Sequence, residues 1–352
     1  MRHAAAAEPD DRLDSLAYAL RRYGETPRQL AFRAETAEQA RAWQEQARAK
    51  LNMLIGPFPA GRIPLEPTFG DEVKGPGFTR RTVTFATRPG MAAFAHLLIP
   101  DDRRDGERRP AVLCIPGHGR GADDLVGLDA DGKAREHHEG YQHDYALQCV
   151  AHGYVTLALE PLGFGHRRDP AARKAGPEQS SCQPSAGAAL LLGESMVGWR
   201  TWDAIRALDL LAERPEVDAK RLAMMGISGG GTITLYTTAV DDRVKVAVLS
   251  CSFCTFRDSI FGLSHCIDNY VPGLLRWFEM ADIAALVAPR ALFVENGADD
   301  PIFPAPGVAE ALRDAAVGYK ALGAADRLDH ETFPDGHVFH GVGAFKKLGE
   351  WL

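Results

Sequence analysis

Beyond residue 110 the chain alternates between short apolar runs and longer segments in which apolar residues recur every three or four positions. "PAVLCIP" (110–116), "YVTLALE" (154–160), "RLAMMG" (221–226), "VKVAVLS" (244–250), "RALFVEN" (290–296) and "RLDHETFP" (327–334) read as strands. Between them, "HDYALQCVAHG" (143–153), "ESMVGWRTWDAIRALDLLAERP" (194–215) and "VFHGVGAFKKLGEWL" (338–352) read as helices. Apolar strands alternating with helices predict a mostly parallel central sheet covered by helices on both faces. Upstream, "TRRTVTFATRPGMAAFAHLLIP" (79–100) has the pattern of two strands joined at Arg88-Pro89-Gly90.

Residues 10–55 carry a helical pattern. Leu13, Leu16 and Leu20 share a face, with Gly24 as the expected stop, and Thr26-Pro27 offers a second helix start. Thr36 and Gln39 have capping-box spacing ahead of a stripe of Ala40, Trp43, Ala47, Leu51 and Ile55. Residues 1–76 are therefore expected to form a helical extension and linker packed on a main domain at 77–352, with a homo-oligomer contact through these helices as the minority reading.

The composition, 45% hydrophobic and 25% charged over 352 residues, is that of a globular chain with a large core. Net charge is -7, no basic stripe is present, and no apolar stretch is long enough to span a bilayer. Nucleic-acid and membrane partners are thus not expected. The short N-terminal alanine run lacks the apolar core of a signal peptide, and six dispersed cysteines suit buried thiols, so a cytoplasmic location is expected.

Candidate chemistry begins at Gly226-Ile227-Ser228-Gly229-Gly230, a G-x-S-x-G motif between an expected strand and an expected helix. Small neighbours allow the sharp turn that exposes a serine hydroxyl at a helix N-terminus, where amides meet developing negative charge. A nucleophilic serine requires a base and an orienting acid, and in the fold that places G-x-S-x-G between a strand and a helix they follow in the order serine, acid, histidine. Asp299 and Asp300 follow the strand "RALFVEN". His337 and His340 follow the last strand, with His337 favoured by its preceding glycine and His340 assigned to the final helix. The loop Gly117-His118-Gly119-Arg120-Gly121 follows "PAVLCIP", and the amides of Gly229 and Arg120 are the expected oxyanion donors. The unusually long connection at 251–289 is expected to shape the substrate pocket, with His118, Trp277 and Phe278 as substrate-contacting candidates.

Weaker signals have plainer readings. "LDADGK" (128–133) lacks the rest of a calcium loop, and His137, His138 and His143 lack matching ligand spacing. Cys251-x-x-Cys254 has no second pair and reads as packing.

The stretches "PGHGRG", "GYVTLALEPLGFGHRRD", "RPEVDAKRLAMMGISGGG", "LVAPRALFVENGADDPIFP" and "FPDGHVFHG" resemble the α/β-hydrolase superfamily, in particular its acetyl-xylan-esterase-like and dienelactone-hydrolase-like branch. The resemblance covers the chain from about residue 77. It implies the α/β-hydrolase fold and, because the acid stands four residues before the proline in G-x-x-D-x-x-x-P, selects Asp300 through Gly297 and Pro304. Dienelactone hydrolases proper use a cysteine nucleophile, where this chain has Ser228. The implied activity is hydrolysis of short-chain acyl esters, with acetylated sugars among them, by a Ser228–His337–Asp300 triad acting on a small-molecule ester. That chemistry requires no metal and no organic cofactor. Two other readings stand beside it. A prolyl-oligopeptidase-type peptidase would need a propeller domain that residues 1–76 are too few to supply. A catalytically silent binding protein would have no need of the three triad residues.

Overall fold

The computed structural model describes residues 11–137 and 140–352. Two helices come first, α1 (Ser15–Glu25) and α2 (Ala37–Ile55), followed by strands β1 (Thr68–Phe69), β2 (Val73–Gly75), β3 (Phe78–Arg88) and β4 (Met91–Pro100). The alternating part then runs β5 (Arg109–Ile115), α3 (Ala122–Leu125), α4 (Tyr145–Ala151), β6 (Val155–Leu159), α5 (Pro170–Ala175), α6 (Cys182–Leu191) and α7 (Met196–Glu213). It continues with β7 (Val217–Ile227), α8 (Gly229–Val240), β8 (Val244–Ser250), α9 (Met280–Ala285), β9 (Ala291–Gly297), α10 (Ala305–Ala321), β10 (Leu328–Phe333) and α11 (Val342–Trp351).

Among the described residues all strands join one sheet in the order β1-β3-β4-β6-β5-β7-β8-β9-β10, with β2 beside β3. The pairings among β6, β5, β7, β8, β9 and β10 are parallel, while β1 to β4 and the β4–β6 pair are antiparallel. Side chains alternate between two layers, as the period of a strand requires. In β8, Val246 and Val248 pack toward α4 and α11, whereas Ala247 and Leu249 pack toward α2, α9 and α10. The parallel order places the C-terminal ends of β5, β7, β8 and β9 along one edge, where their connecting loops converge.

The N-terminal segment divides into a part the pattern anticipated and a part it did not. Thr36 and Gln39 form the capping box of α2, which buries Ala40, Ala47, Leu51 and Ile55. The buried face also carries a polar anchor: Gln44 Nε2 donates to the carbonyls of Ala285 (2.8 Å) and Ala288 (2.7 Å). By contrast α1 buries no residue, Leu13 and Leu16 are exposed, Gly24 lies inside the helix, and Thr26 caps its end. No helix starts at Thr26-Pro27. The chain there is irregular and turns at Gln29-Leu30, whose amides donate to the carbonyls of Arg276 and Trp277 at 3.0 and 3.2 Å. Backbone pairing with a distant segment overrides the local start signal, a competition that proline and a capping threonine cannot decide alone.

The connection at 251–289 is largely core. Phe253, Phe256 and Phe278 are buried with Leu51 and Ile55 in the cluster beneath α9 and α10. No described helix is long and apolar enough to cross a membrane.

Replacing Leu51 by Ala should lower the free energy of unfolding by about 2–5 kcal/mol, the usual cost of a cavity at a fully buried leucine. Met53→Ala, on the exposed side of the same helix, should change it by less than about 0.5 kcal/mol. Guanidinium titration of both variants checks this. Equal effects would show that α2 is not part of the cooperatively unfolding unit.

Candidate active site

Ser228 stands between β7 and α8 with φ 55° and ψ -125°, a left-handed conformation that a residue with a Cβ adopts only when its surroundings enforce it. The turn is held by its amide, which donates to Ser250 O at 2.9 Å. It also requires glycine on both sides. A Cβ on Gly226 would stand 2.3 Å from Gly230 O, and one on Gly230 would stand 1.9 Å from Ile115 O. Those approaches let α8 begin directly above β5 and β7, so that its first amides face the sheet edge. Gly229 N–H, in the first turn, has no acceptor within the helix.

His337 and Asp300 come together from the loops after β10 and β9. His337 Nδ1 lies 2.7 Å from Asp300 Oδ2. The other carboxylate oxygen, Oδ1, accepts the amides of Ile302 (2.9 Å) and Phe303 (3.1 Å). Burial works against ionisation of Asp300, but the hydrogen bond and charge of His337 and the two amides outweigh it and hold the carboxyl below its ordinary value. With Nδ1 engaged, the His337 ring offers Nε2 to the cavity. Its faces are flanked by Tyr141 and Phe303, with centroids 5.4 and 5.9 Å away. Asp299 is directed elsewhere and is exposed, its amide bonded to Asp335 O. His340 precedes α11 rather than lying in it. Its ring stacks on Phe333 at 4.5 Å, and its amide donates to buried Glu295.

Ser228, Gly229 and His337 line one cavity of about 300 Å³ together with His118, Tyr141, Ile302 and Phe303. Ser264, His265, Cys266 and Asn269, from the 251–289 connection, complete its wall. Trp277 and Phe278 are not part of it. Phe278 is fully buried in the core, and Trp277 packs beside that core under Lys50 Nζ, 3.9 Å from its ring. Most large aromatics of this connection are drawn to the apolar layer, Tyr270 staying exposed, while Ser264, His265, Cys266 and Asn269 reach the cavity.

The expected role of the Arg120 amide also requires correction. Arg120 N donates to Asp124 Oδ2 at 2.9 Å, and its guanidinium bonds Asp124 Oδ1 and Leu128 O, turning the residue away from Ser228. Two residues earlier the chain passes the cavity at His118, whose amide has no acceptor among the described residues. The glycine-rich loop borders the cavity at His118 and not at Arg120.

Behind His118 lies a cluster that no sequence spacing signalled. Asp268 Oδ2 is approached by Arg200 Nη1 (2.6 Å), Cys182 Sγ (3.0 Å) and His118 Nε2 (3.2 Å). His118, Cys182, Cys266 and Asp268 are metal-ligand residue types lying within 4.8 Å of one another. Asp268 Oδ2, however, on which Cys182 and His118 converge, is already paired with the Arg200 guanidinium, which is the arrangement of an ion-pair network and not of a cation cage. Asp268 is held well below the carboxylate range: burial opposes this, while Arg200 and His118 outweigh it. Of the other candidates, Asp129 closes a local turn by accepting the amides of Asp131 and Lys133. The thiols of Cys251 and Cys254 are pushed up to about 12, chiefly by burial, as packing residues are. His138 lies outside the described residues.

The chain matches known proteins in three ways. Residues 21–306 match the Abhydrolase family model. A protein named "putative hydrolase YtaP" from Bacillus subtilis (strain 168) is 30% identical over 257 residues, covering 69% of this chain and 79% of that one. A "putative acetyl xylan esterase" from Bacteroides fragilis NCTC 9343 superposes with a TM-score of 0.76 at 20% identity, over 91% of this chain and 82% of that one. A glucuronoyl esterase from Solibacter usitatus does so with a TM-score of 0.64 at 17% identity, over 93% and 98%. The structural likenesses establish a shared α/β-hydrolase architecture. A family match spanning most of the chain, on a sheet whose loops gather serine, histidine and aspartate at one edge, identifies this protein as a member of the Abhydrolase family of hydrolases.

Proposed function

We propose that this hydrolase is a serine carboxylesterase acting on short-chain acyl esters, acetylated sugars among them, with Ser228 as nucleophile, His337 as base and Asp300 as its orienting acid. The observation that carries the reading is the 2.7 Å contact from His337 Nδ1 to an Asp300 carboxylate braced by two backbone amides, with the ring facing the cavity that exposes Ser228. Asp300 fixes the tautomer in which Nε2 accepts the Ser228 proton as Oγ bonds to the ester carbon. The amides of Gly229 and His118 receive the oxyanion. The carbon–oxygen bond to the alcohol then breaks as His337 returns the proton to the leaving oxygen. Water, deprotonated by the same nitrogen, releases the acid and restores Ser228.

Substrate class is supported by size and by kinship. The cavity, about 300 Å³, suits a small acyl group. The structural neighbours include proteins described as acetyl xylan and glucuronoyl esterases, both named for esters of carbohydrates. A fluorophosphonate should label wild-type protein at Ser228. Ser228→Ala should abolish labelling and lower turnover by about 10^3-fold or more, because the triad acts as a unit. Wild-type turnover in the folded alanine variant would remove Ser228 from the mechanism.

Asp300→Asn should depress kcat by about 10^3-fold or more, since the amide no longer fixes the imidazole tautomer, while Asp299→Asn should stay near wild type. Steady-state kinetics on both variants decides it, and the reverse order would shift the acid by one residue.

Across p-nitrophenyl esters the rate should be greatest from acetyl to butanoyl and decline gradually with length, as each excluded methylene changes discrimination by about 1–3 kcal/mol. A maximum at decanoyl, or faster cleavage of peptide amides than of acetyl esters, would overturn the small-acyl reading.

A further inference from the structure

Three side chains, Asp268, Phe164 and Tyr141, hold the ring and the peptide of His118, more restraint than a residue needs when only its backbone amide is used. The ring is gripped on one edge. Its Nε2, shut off from solvent, makes an ion-pair contact with Asp268 Oδ2 at 3.2 Å without the geometry of a directed hydrogen bond. Asp268 is itself immobilised: Oδ1 accepts Asn269 Nδ2 at 3.1 Å, and Oδ2 pairs with Arg200 Nη1 at 2.6 Å. Arg200 is fixed in turn by two hydrogen bonds to Leu162 O and lies over the Phe164 ring, which packs edge-on against His118 at 4.9 Å. The carbonyl of His118 is tied by the Tyr141 hydroxyl at 2.7 Å.

The opposite edge of the ring faces the cavity. An ideal Cβ built on Gly229 would lie 3.5 Å from both Nδ1 and Cε1 of His118, which puts Nδ1 beside the first amide of α8, where the carbonyl oxygen of a substrate bound to Ser228 must lie.

We propose that the His118 imidazole is itself a catalytic residue: a cation clamped through Nε2 by Asp268, whose Nδ1–H donates to the carbonyl oxygen of the ester as negative charge develops there. This rests on the serine-esterase reading above and adds to it a charged third donor alongside two neutral amides. Such a donor stabilises an oxyanion more than a further neutral hydrogen bond does, and its rigidity means that little reorganisation is needed during reaction.

The charges around the ring support a protonated state. The loop at 267–269 contributes Asp268, α7 contributes Arg200 and α6 contributes Cys182, with Cys266 beside it. Across the cavity stand His265 and His337. Burial disfavours the imidazolium, but Asp268 and Cys182 outweigh it and raise His118 to about 9. The sign follows. The ring is charged at neutral pH, and the charge is lost as pH rises through about 9.

Substitution at position 118 keeps the backbone amide, so it isolates the side chain. In His118→Ala and His118→Gln, kcat for an acetyl ester at pH 7 should fall about 10^2-fold, the cost of one oxyanion donor, with KM little changed and thermal melts confirming the fold. In wild-type protein kcat should decline as pH rises through about 9. That alkaline limb should vanish in His118→Ala and move to lower pH in Asp268→Asn. Should Asp268→Asn not fold, the limb in His118→Ala decides. Wild-type kcat, or a retained limb near pH 9, in folded His118→Ala would overturn the proposal while leaving the triad in place. Wild-type protein that neither hydrolyses esters nor labels with fluorophosphonate would overturn the esterase reading, and this proposal with it.

Discussion

The approach of α8 to the end of β5 governs the geometry of the whole site. Gly230 lies so near the carbonyls of Ile115 and Pro116 that no side chain fits, and Gly226 is pressed in the same way against Gly230 O. These contacts fix where α8 starts. They force Ser228 into a left-handed turn and aim the unpaired amides of the first helical turn at the cavity. The strain is sustained because β7 is bonded on both sides, to β5 and β8, and because the Ser228 amide reaches across to Ser250.

Around this turn, buried carboxylates attach the loops to the sheet edge, each by a different balance of forces. Asp300 has no guanidinium or ammonium partner among the described residues and is stabilised by two amides and a histidine. Asp268 relies on a buried guanidinium. Glu295, at the end of β9, accepts the amides of His340 and Gly341, which positions the turn following His337. Glu160, just after β6, accepts the amides of Ala122 and His166 and is pushed up to about 7, mainly by burial. Two histidines are thus presented to one cavity by two acids from separate loops. A buried polar network of this kind specifies loop positions more sharply than apolar packing does, because each misplacement leaves a charge or amide unpaired.

The motif around Ser228 was legible in the sequence because its chemistry is local: a strand, a turn that only small residues permit, and a helix. The same holds for Asp300, which follows the apolar run of β9, and for the Thr36–Gln39 box, while His337 follows a mixed polar strand and was marked by the glycine before it. Signals failed where a distant partner decided the outcome. Thr26-Pro27 has the letters of a helix start, yet its following amides pair with Arg276 and Trp277. The aromatics of 251–289 look like pocket residues, yet burial in the apolar layer is worth more to them than lining a small cavity.

The sequence by itself determined the order of strands and helices, the glycine-flanked turn at Ser228 and the aspartate and histidine that stand near it, since periodicity and turn chemistry act over a few residues. Only the tertiary structure decided which amide of the glycine-rich loop meets the cavity, because Asp124 captures Arg120 and leaves His118 open. Likewise it alone brought Asp268, Arg200 and Cys182 behind His118. Those residues come from three separate segments, and their meeting depends on how the helices pack over the sheet, which no spacing along the chain encodes.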